Sequence, residues 1–320
     1  MVNKLRGQSI KQENLREITI DRNFLTKNYQ LHLNKDVCNG CGICSEICPH
    51  DAIKMQPSTV FEGKLLERPT IDIDEDVCIL CGECAVLCPL NAITMKLNGQ
   101  KNSTIIENEA FPELIKEIII KKEKCNSDCE LACQKECPTE AIKISTKKAE
   151  TGKIEITNIE VDESCCLYCK RCEIACNQNA ISVKKPFNGR IKLDASVCTD
   201  GCVACVDICP SHAIEIVNGK PKVTKEFCIF CSACQRICPK EAIKVERDWI
   251  FHTEIKAAAW LTALKKLTSC KTVAKELRIK SVKRRTKVVK ARETSLYRKF
   301  NSSTCNQAEE FLKILTNCKK

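Results

Sequence analysis

Residues 228–243 read CIFCSACQRICPKEAI. Their cysteines follow the pattern C-x2-C-x2-C-x3-C-P, and an Ala-Ile pair comes four and five residues after the last cysteine. The same pattern returns unchanged at residues 38–53 and 78–93. Such a dense and repeated cysteine run indicates a metal-binding unit that occurs several times in the chain, and this unit decides the fold.

Three further runs vary the pattern and keep its Ala-Ile pair. The run at 125–137 has wider spacings, and the run at 198–209 has one extra residue after its first cysteine. The run at 166–176 ends in Asn177, where the others have proline. Altered loops of this kind can lose an iron or bind a three-iron cluster. The chain therefore carries six runs, of which three are perfect.

Four of the 28 cysteines lie outside the runs, namely Cys165, Cys270, Cys305 and Cys318. Each is expected to be a reduced thiol. Cys165 adjoins Cys166 and would replace it as a ligand if the loop shifted by one residue. Cys166 keeps the regular spacing and is the predicted ligand.

The spacing is that of bacterial-type [4Fe-4S] ferredoxins, in which three close thiolates hold one cluster and the fourth cysteine of the run holds the neighbouring cluster. Pairing each run with the next one predicts six [4Fe-4S] clusters in three pairs. The last pair is the best supported, because only 18 residues separate Cys209 from Cys228. Longer inserts leave a nested arrangement open for the first two pairs.

The predicted ligand sets follow from this crossing. They are Cys38, Cys41, Cys44 with Cys88; Cys78, Cys81, Cys84 with Cys48; Cys125, Cys129, Cys133 with Cys176; Cys166, Cys169, Cys172 with Cys137; Cys198, Cys202, Cys205 with Cys238; and Cys228, Cys231, Cys234 with Cys209.

Structural zinc is the main alternative for cysteine-rich segments. Zinc usually requires two C-x2-C pairs well separated in sequence, so that four sulfurs can form one tetrahedron. Here four sulfurs crowd into one short run, which suits a cluster with several irons. A disulfide framework is disfavoured because residues 1–16 are polar and charged and lack the apolar segment of a secretory leader. Iron–sulfur clusters need a reducing compartment, so the sequence predicts a cytoplasmic protein.

Short β-prone stretches flank the runs, as at residues 70–74 and 191–194. The proline after the last cysteine predicts a helical turn there, because proline fits the first position of a helix. Each half-module then reads strand, cysteine loop, helical turn, strand. The predicted class is α+β, with three tandem bacterial-type 2[4Fe-4S] ferredoxin modules, small antiparallel sheets and a C-terminal basic helical extension.

The predicted boundaries follow the runs. Each module spans about 50 residues apart from its inserts, a size at which an apolar core alone is barely sufficient, so cluster insertion is expected to be part of folding. The segments are an N-terminal arm at 1–33, polar and irregular; module 1 at 34–97; module 2 with an insert at 98–185; module 3 at 186–247; and a basic helical tail at 248–320.

Positive charge concentrates beyond the last run. Residues 246–320 hold 19 Lys and Arg against 7 Asp and Glu, whereas residues 1–245 hold 33 against 34. Within this tail, residues 253–268 place Trp260, Leu264 and Leu267 at helical spacing, in a stretch too short and too charged to span a bilayer. An acidic partner fits this tail better than nucleic acid, because aromatic residues are sparse and no nucleic-acid-binding motif occurs.

Catalytic signatures are absent from the sequence. It contains no G-x-G-x-x-G loop, P-loop, H-E-x-x-H or G-x-S-x-G motif, and only 4 histidines. One-electron transfer is the chemistry that remains. The sequence therefore predicts an electron-transfer subunit and not an enzyme in its own right.

Four segments together resemble the polyferredoxin component of archaeal formylmethanofuran dehydrogenase. They are CPHDAIK (48–54), FEGKLLERPTIDIDEDVC (61–78), CPLNAITMKLNG (88–99) and VERDWIFHTEIKAAAWLTALKKLTS (245–269). The resemblance covers roughly residues 30 to 270. The insert after the first run and the segment after the last run are its most specific parts, because all polyferredoxins share the cysteine runs.

This resemblance implies electron delivery to a tungsten or molybdenum enzyme of methanogenic or methane-oxidising archaea. That enzyme reduces carbon dioxide and attaches the formyl unit to methanofuran, or runs in reverse. The implied partners are the other subunits of that complex and a soluble ferredoxin or heterodisulfide reductase-type donor. Members of this family can carry more than six runs, and the basic extension after Cys270 has no counterpart in the resemblance.

Two other functions stay open at this stage. A polyferredoxin of a hydrogenase or heterodisulfide reductase complex would share every cluster ligand. A zinc-containing nucleic-acid-binding protein would be colourless, whereas an iron–sulfur protein is brown and bleaches on reduction.

Overall fold

The structure is a computed structural model of the 320-residue chain. It describes residues 7–101, 104–126, 129–148, 154–254, 257, 259–269, 285–286 and 288–290. The chain divides into two compact units, Met1–Ser269 and Cys270–Lys320. Within the second unit, the described residues 285–286 and 288–290 are helical. The rest of the predicted basic tail beyond Ser269 lies outside the described residues, as do Cys270, Cys305 and Cys318.

Short elements make up the first unit. Its strands are β1 (Ser9–Glu13), β2 (Glu17–Asn23), β3 (Asn28–Asn34), β4 (Ile53–Gln56), β5 (Thr59–Phe61), β6 (Lys64–Glu67), β7 (Thr70–Ile73), β8 (Ile93–Leu97), β9 (Gln100–Lys101), β10 (Glu117–Ile120), β11 (Ile142–Lys148), β12 (Ile154–Val161), β13 (Ile181–Lys184), β14 (Phe187–Leu193), β15 (Ile214–Val217), β16 (Lys220–Val223) and β17 (Ile243–Ile250). Its helices are α1 (Ile43–Ile47), α2 (Glu83–Leu87), α3 (Thr104–Glu107), α4 (Ala132–Lys135), α5 (Arg171–Ala175), α6 (Ala204–Asp207), α7 (Ala233–Ile237) and α8 (Ala259–Leu267). The predicted mixture of helix and strand is confirmed.

Strand pairing joins the six runs two by two, in their order along the chain. Around the first two runs, β3 pairs with β8 and β4 pairs with β7, all antiparallel. The same outer and inner pairs occur around the third and fourth runs, as β10–β13 and β11–β12, and around the last two, as β14–β17 and β15–β16. Two antiparallel strand pairs therefore flank the first and second runs, another two flank the third and fourth, and a further two flank the fifth and sixth. We refer to these three arrangements as modules 1, 2 and 3.

The expectation of an irregular N-terminal arm is wrong. β1, β2 and β3 form an antiparallel meander that extends the sheet of module 1 through β8. Ile18, Ile20, Leu31 and Leu33 alternate with more polar residues along β2 and β3, and each is at most 1% exposed. This period-two pattern places one face of the meander in the core. The many polar residues of the segment belong to its other face and its turns.

The helices also differ from the expectation. Each run contains its short helix before the last cysteine, as in α1 and α7, whereas the segment after that cysteine is a turn. The third residue after the last cysteine adopts a left-handed backbone in all six runs, with φ between 48° and 53°. A left-handed residue cannot continue an α-helix, so the proline begins a turn and not a helix.

Helix α8 belongs to the first unit, so the predicted tail boundary at residue 248 lies too early. Trp260 is fully buried, and its ring packs edge-on against Phe111 at 5.0 Å between ring centroids and against His252 at 4.8 Å. Helix α8 also packs against α1. Its buried face thus fixes the segment to module 1 and to the insert before module 2. No helix among the described residues has the length and apolarity that crossing a membrane requires.

Candidate metal centres

One cavity of module 1 is lined by cysteines of both of its runs. Cys78, Cys81 and Cys84 of the second run line it, together with Cys48, the last cysteine of the first run. Leu31, Leu80 and Ile53 are among the residues that complete its wall. The cavity therefore combines four thiols from two runs with an apolar lining.

The other runs bring their thiols together in the same crossed way. Burial, together with a smaller contribution from Cys88 of the other run of the module, raises the pKa of Cys38 to about 11. Cys88 acts on Cys41 and Cys44 as well. The equivalent crossed influences are those of Cys176 on Cys125 and Cys133; of Cys137 on Cys166, Cys169 and Cys172; of Cys238 on Cys198 and Cys205; and of Cys209 on Cys228, Cys231 and Cys234.

The loop between the first and third cysteines has an unusual backbone. The residue before the second cysteine has φ between 52° and 61° in four runs, at Gly40, Leu80, Tyr168 and Phe230. The residue after that cysteine has φ between 72° and 87° at Gly42, Gly82, Lys170 and Ser232. These turns direct backbone N–H groups at the thiols. Tyr168 N–H donates to Cys166 Sγ at 3.5 Å, and Phe230 N–H donates to Cys228 Sγ at 3.4 Å.

The alanine of the Ala-Ile pair has a role that its side chain did not suggest. Its backbone N–H donates to the sulfur of the last cysteine in the run, at 3.2–3.3 Å in five runs. The left-handed residue before it orients this N–H. Hydrogen bonds to cluster sulfurs are one of the means by which a protein sets a reduction potential. The repeated spacing to Ala-Ile was the available signal, although it did not reveal which atom acts.

The thiols fit an iron–sulfur cluster by their chemistry. Burial raises the pKa of Cys166 to about 11 and that of Cys205 and Cys228 to about 12. Thiolates are the required ligands, and this apolar setting opposes their formation unless a metal compensates their charge. Four soft sulfur donors with backbone N–H partners are what a cluster of several irons binds.

Cys165 and Cys166 are distinguished by their surroundings. Cys166 is 8% exposed and accepts the Tyr168 N–H, as Cys228 accepts the Phe230 N–H. Cys165 is half-buried and donates to the carbonyl of Asp162 at 3.5 Å. Only Cys166 has the surroundings that recur in the other runs.

The two runs with altered spacing are more open. Cys125, Cys129, Cys198 and Cys202 are all half-buried. The Cys129 thiol donates to the carbonyl of Asn126 at 3.1 Å. These thiols are closer to solvent than Cys38, Cys41, Cys228 and Cys231, as are Cys78 and Cys81 of the remaining perfect run.

Burial separates the six ligand sets into two groups. In three sets, which we call the inner sets, the first three cysteines are each 7–9% exposed. In the remaining outer sets, only Cys84 and Cys205 are as buried among the first three cysteines. The inner sets are Cys38, Cys41, Cys44 with Cys88; Cys166, Cys169, Cys172 with Cys137; and Cys228, Cys231, Cys234 with Cys209.

The inner sets lie where the modules meet. Between modules 1 and 3, Asn39 Nδ2 donates to Cys231 Sγ at 3.6 Å, and Arg236 Nε donates to the Cys41 carbonyl at 2.8 Å. Between modules 2 and 3, Lys185 Nζ donates to the Cys228 carbonyl at 2.8 Å.

Modules 1 and 2 also touch beside their inner sets. Asn91 Nδ2 donates to the Ser164 carbonyl at 3.1 Å, and Lys116 Nζ donates to Asn91 Oδ1 at 3.1 Å. Each inner set therefore adjoins the other two, even though module 1 and module 3 are far apart in sequence.

The insert of module 1 contacts an outer set of module 3. Its hairpin, β5–β6, turns at Gly63, whose carbonyl accepts the Val203 N–H at 2.8 Å. A side chain at Gly63 would lie 2.6 Å from Cys202 Cα. The insert therefore packs on a cysteine run of the same chain.

Gly63→Ala is expected to destabilise the protein more than Gly99→Ala does. Both glycines occupy hairpin turns, with φ of 77° and 81°, so both substitutions strain the backbone by about 1–2 kcal/mol. Nothing lies within 4 Å of a side chain at Gly99, whereas Cys202 obstructs one at Gly63. Overpacking adds about 1–3 kcal/mol for Gly63→Ala alone. Anaerobic urea denaturation of both variants measures the difference, and equal losses would contradict the contact.

Comparisons with known proteins agree with this geometry. Two family models, both described as "4Fe-4S dicluster domain", match residues 37–92 and residues 190–239. The first match contains the two runs of module 1, and the second covers the two runs of module 3. The chain is an iron–sulfur electron-transfer subunit. Its ferredoxin-like 4Fe-4S domains point to an electron-carrier subunit rather than a catalytic one.

Two relatives are informative. Over 28 residues the chain is 54% identical to pyruvate synthase subunit PorD of Thermotoga maritima, which is 9% of this chain and 28% of PorD. Among solved structures, it is similar to one chain of the formate dehydrogenase–heterodisulfide reductase–formylmethanofuran dehydrogenase complex from Methanospirillum hungatei. That similarity has a TM-score of 0.70 and 29% identity, and covers 83% of this chain and 93% of the other.

Proposed function

We propose that this chain carries low-potential electrons between a redox partner and the catalytic subunit of a formylmethanofuran dehydrogenase. In this role it serves carbon dioxide reduction or the reverse reaction. Six [4Fe-4S] clusters, one in each crossed set, would supply the one-electron chemistry. The similarity to a chain of a complex that contains formylmethanofuran dehydrogenase over 83% of the sequence favours this partner.

The cavity lined by Cys48, Cys78, Cys81 and Cys84 is the observation that carries the proposal. It brings the last thiol of one run to the first three thiols of another, as a two-cluster ferredoxin requires. The crossed influences among the other thiols support the same arrangement in the other five sets. Each of the two clusters in a module would then take three ligands from one run and one from the other, so neither run could form its site without its partner run.

The protein's own residues would do three things for electron transfer. Cysteines hold the clusters, and the N–H groups of Ala52 and its equivalents donate to their sulfurs. Apolar side chains such as Leu80 and Ile53 keep water from the sites. The contacts through Asn39, Arg236 and Lys185 hold the inner sets side by side, so the route branches at the centre and has an outer set at each of its ends.

A polyferredoxin of a heterodisulfide reductase complex is the second candidate. The solved complex to which the chain is similar contains heterodisulfide reductase and formylmethanofuran dehydrogenase together. Both candidates require the same cysteine sets. Only the identity of the partner distinguishes them.

Anaerobic purification with the native partners tests the proposal. We expect about 24 irons and about 24 sulfides per chain, together with a tungsten or molybdenum subunit that binds molybdopterin. EPR on stepwise reduction should show coupled spins from paired clusters. A nickel–iron hydrogenase as the partner would overturn the proposed complex, and zinc in place of iron would overturn the electron-transfer role itself.

A further inference from the structure

Two cations lie between inner sets of different modules. Arg247 is 8% exposed, donates from Nε to the Phe230 carbonyl at 2.9 Å, and donates from Nη2 to the Cys231 carbonyl at 3.1 Å. Lys185 is half-buried and donates to the main-chain carbonyls of Glu226 and Cys228. These acceptors are neutral, so the contacts place a positive charge beside the cysteines without cancelling it.

Each of these cations acts on two inner sets at once. The electrostatic neighbours of Lys185 include Cys169 of module 2 and Cys228 of module 3. Those of Arg247 include Cys41 of module 1 and Cys231 of module 3. Glu226 also acts on Lys185, and Glu46 acts on Arg247. Among the described residues, however, neither carboxylate accepts a hydrogen bond from either cation. Both boundaries of module 3 therefore contain a cation shared by two sets.

The outer sets have different charged neighbours. Asp74 and Glu83 act on the set of Cys78 and Cys81, Glu123 acts on Cys125, and Asp194 acts on Cys198. Arg22 and Lys220 bring positive charge to two of these sets, each alongside a carboxylate. The outer sets thus carry mixed or negative surroundings, whereas Lys185 and Arg247 are the charged groups besides other cysteines that act on the inner thiols Cys169, Cys228 and Cys231.

Charge near a cluster changes its affinity for an electron. Reduction adds one negative charge, which a nearby cation stabilises and a nearby carboxylate opposes. The effect is larger at a buried site, because water screens a buried charge less. Lys116 lies in a corresponding place between Cys88 and Cys166, and burial lowers its pKa as well, although more of its side chain is exposed than in Lys185.

We propose that Lys185 and Arg247 raise the reduction potentials of the inner clusters above those of the outer clusters. This inference rests on the proposed function, because it assumes a cluster in each crossed set. One electron accepted at an outer set from a low-potential one-electron donor then moves to an inner set, and no bond or proton changes in that step. Electrons entering at any end collect at the centre, where the modules share them.

Lys185→Gln tests the inference in the full-length chain. Glutamine can still donate to a carbonyl, so the substitution removes the charge and keeps a donor. In an anaerobic redox titration followed by EPR, we expect the two flanking clusters to become about tenfold harder to reduce, which is about 59 mV for a one-electron couple. Lys185→Arg restores the charge and should return both potentials to their original values.

Lys184→Gln is the matched control. Its side chain is adjacent in sequence, 62% exposed and paired with Glu117, so the same loss of charge there should move no cluster potential. Iron and sulfide are measured in every variant. If Lys185→Gln binds less iron than the original protein, Arg247→Gln provides the same test for the clusters of Cys41 and Cys231.

Three results would overturn the inference. They are full iron content in Lys185→Gln with unchanged potentials, equal shifts in Lys184→Gln, and shifts in Lys185→Arg as large as those in Lys185→Gln. Each of these leaves the proposed electron-transfer function intact. A chain without iron and sulfide would remove that function instead.

Discussion

Cys88→Ser is expected to lose the cluster of Cys38, Cys41 and Cys44 and to keep the cluster of Cys78, Cys81 and Cys84. Cys88 lies at the end of the second run, but its thiol acts on the three thiols of the first run. Loss of one ligand should remove one cluster, which is about four irons of about 24. Iron and sulfide analysis under anaerobic conditions measures this loss.

Alkylation identifies which cluster is lost. Cysteines released from a cluster react with iodoacetamide, whereas cysteines that bind iron are protected, and mass spectrometry locates the label. In Cys88→Ser the label should appear on Cys38, Cys41 and Cys44. Cys88→Ala repeats the test without an oxygen that could bind iron.

The reciprocal control is Cys48→Ser. Cys48 lines the cavity of the second run, so this variant should expose Cys78, Cys81 and Cys84 instead. If each substitution released the other cysteines of its own run, the ligands would not cross and each run would hold its cluster alone.

Removal of iron is expected to unfold the modules. The helices within the runs are only four or five residues long, far below the length at which a helix is stable alone. Many of the cysteines are buried, so loss of the clusters would leave cavities lined by thiols in place of a packed core. Cluster binding is thus part of the free energy of folding. Anaerobic chelation, followed by far-UV circular dichroism and limited proteolysis, measures the loss of structure.

The expected result is loss of most of the circular dichroism signal together with the brown colour. Reconstitution with iron and sulfide should restore both, whereas zinc should not restore the colour. A chelated chain that still unfolds cooperatively in urea would show that the apolar core is sufficient without metal.

The sequence predicted the local features of the fold because their causes are local. The residues that shape each cysteine loop lie close together in sequence, so their spacing predicts the loop, although it did not reveal the left-handed residue that replaces the expected helical turn after the last cysteine. The β-prone stretches at 70–74 and 191–194 likewise correspond to β7 and to the end of β14. These elements follow from residue spacing and turn chemistry.

The N-terminal meander shows where this approach failed. Ile18, Ile20, Leu31 and Leu33 alternate as strand residues do, but the polar residues between them concealed the pattern. Helix α8 was predicted from its periodicity, whereas its membership of the first unit was not. Its position depends on the contact between Trp260 and Phe111, and Phe111 lies in the insert before module 2, far away in sequence.

By itself, then, the sequence determined that the chain folds around repeated cysteine runs and which cysteines could share a site, because ligand spacing is a local property of the chain. Only the tertiary structure decided which sets lie inside and which cations stand between them. Arg236 and Cys41 touch across 195 positions of sequence, and no periodic pattern marks such a pair. Contacts of this kind depend on how the folded modules pack against one another. That packing is determined by surface side chains, and their positions are set only once each module has folded.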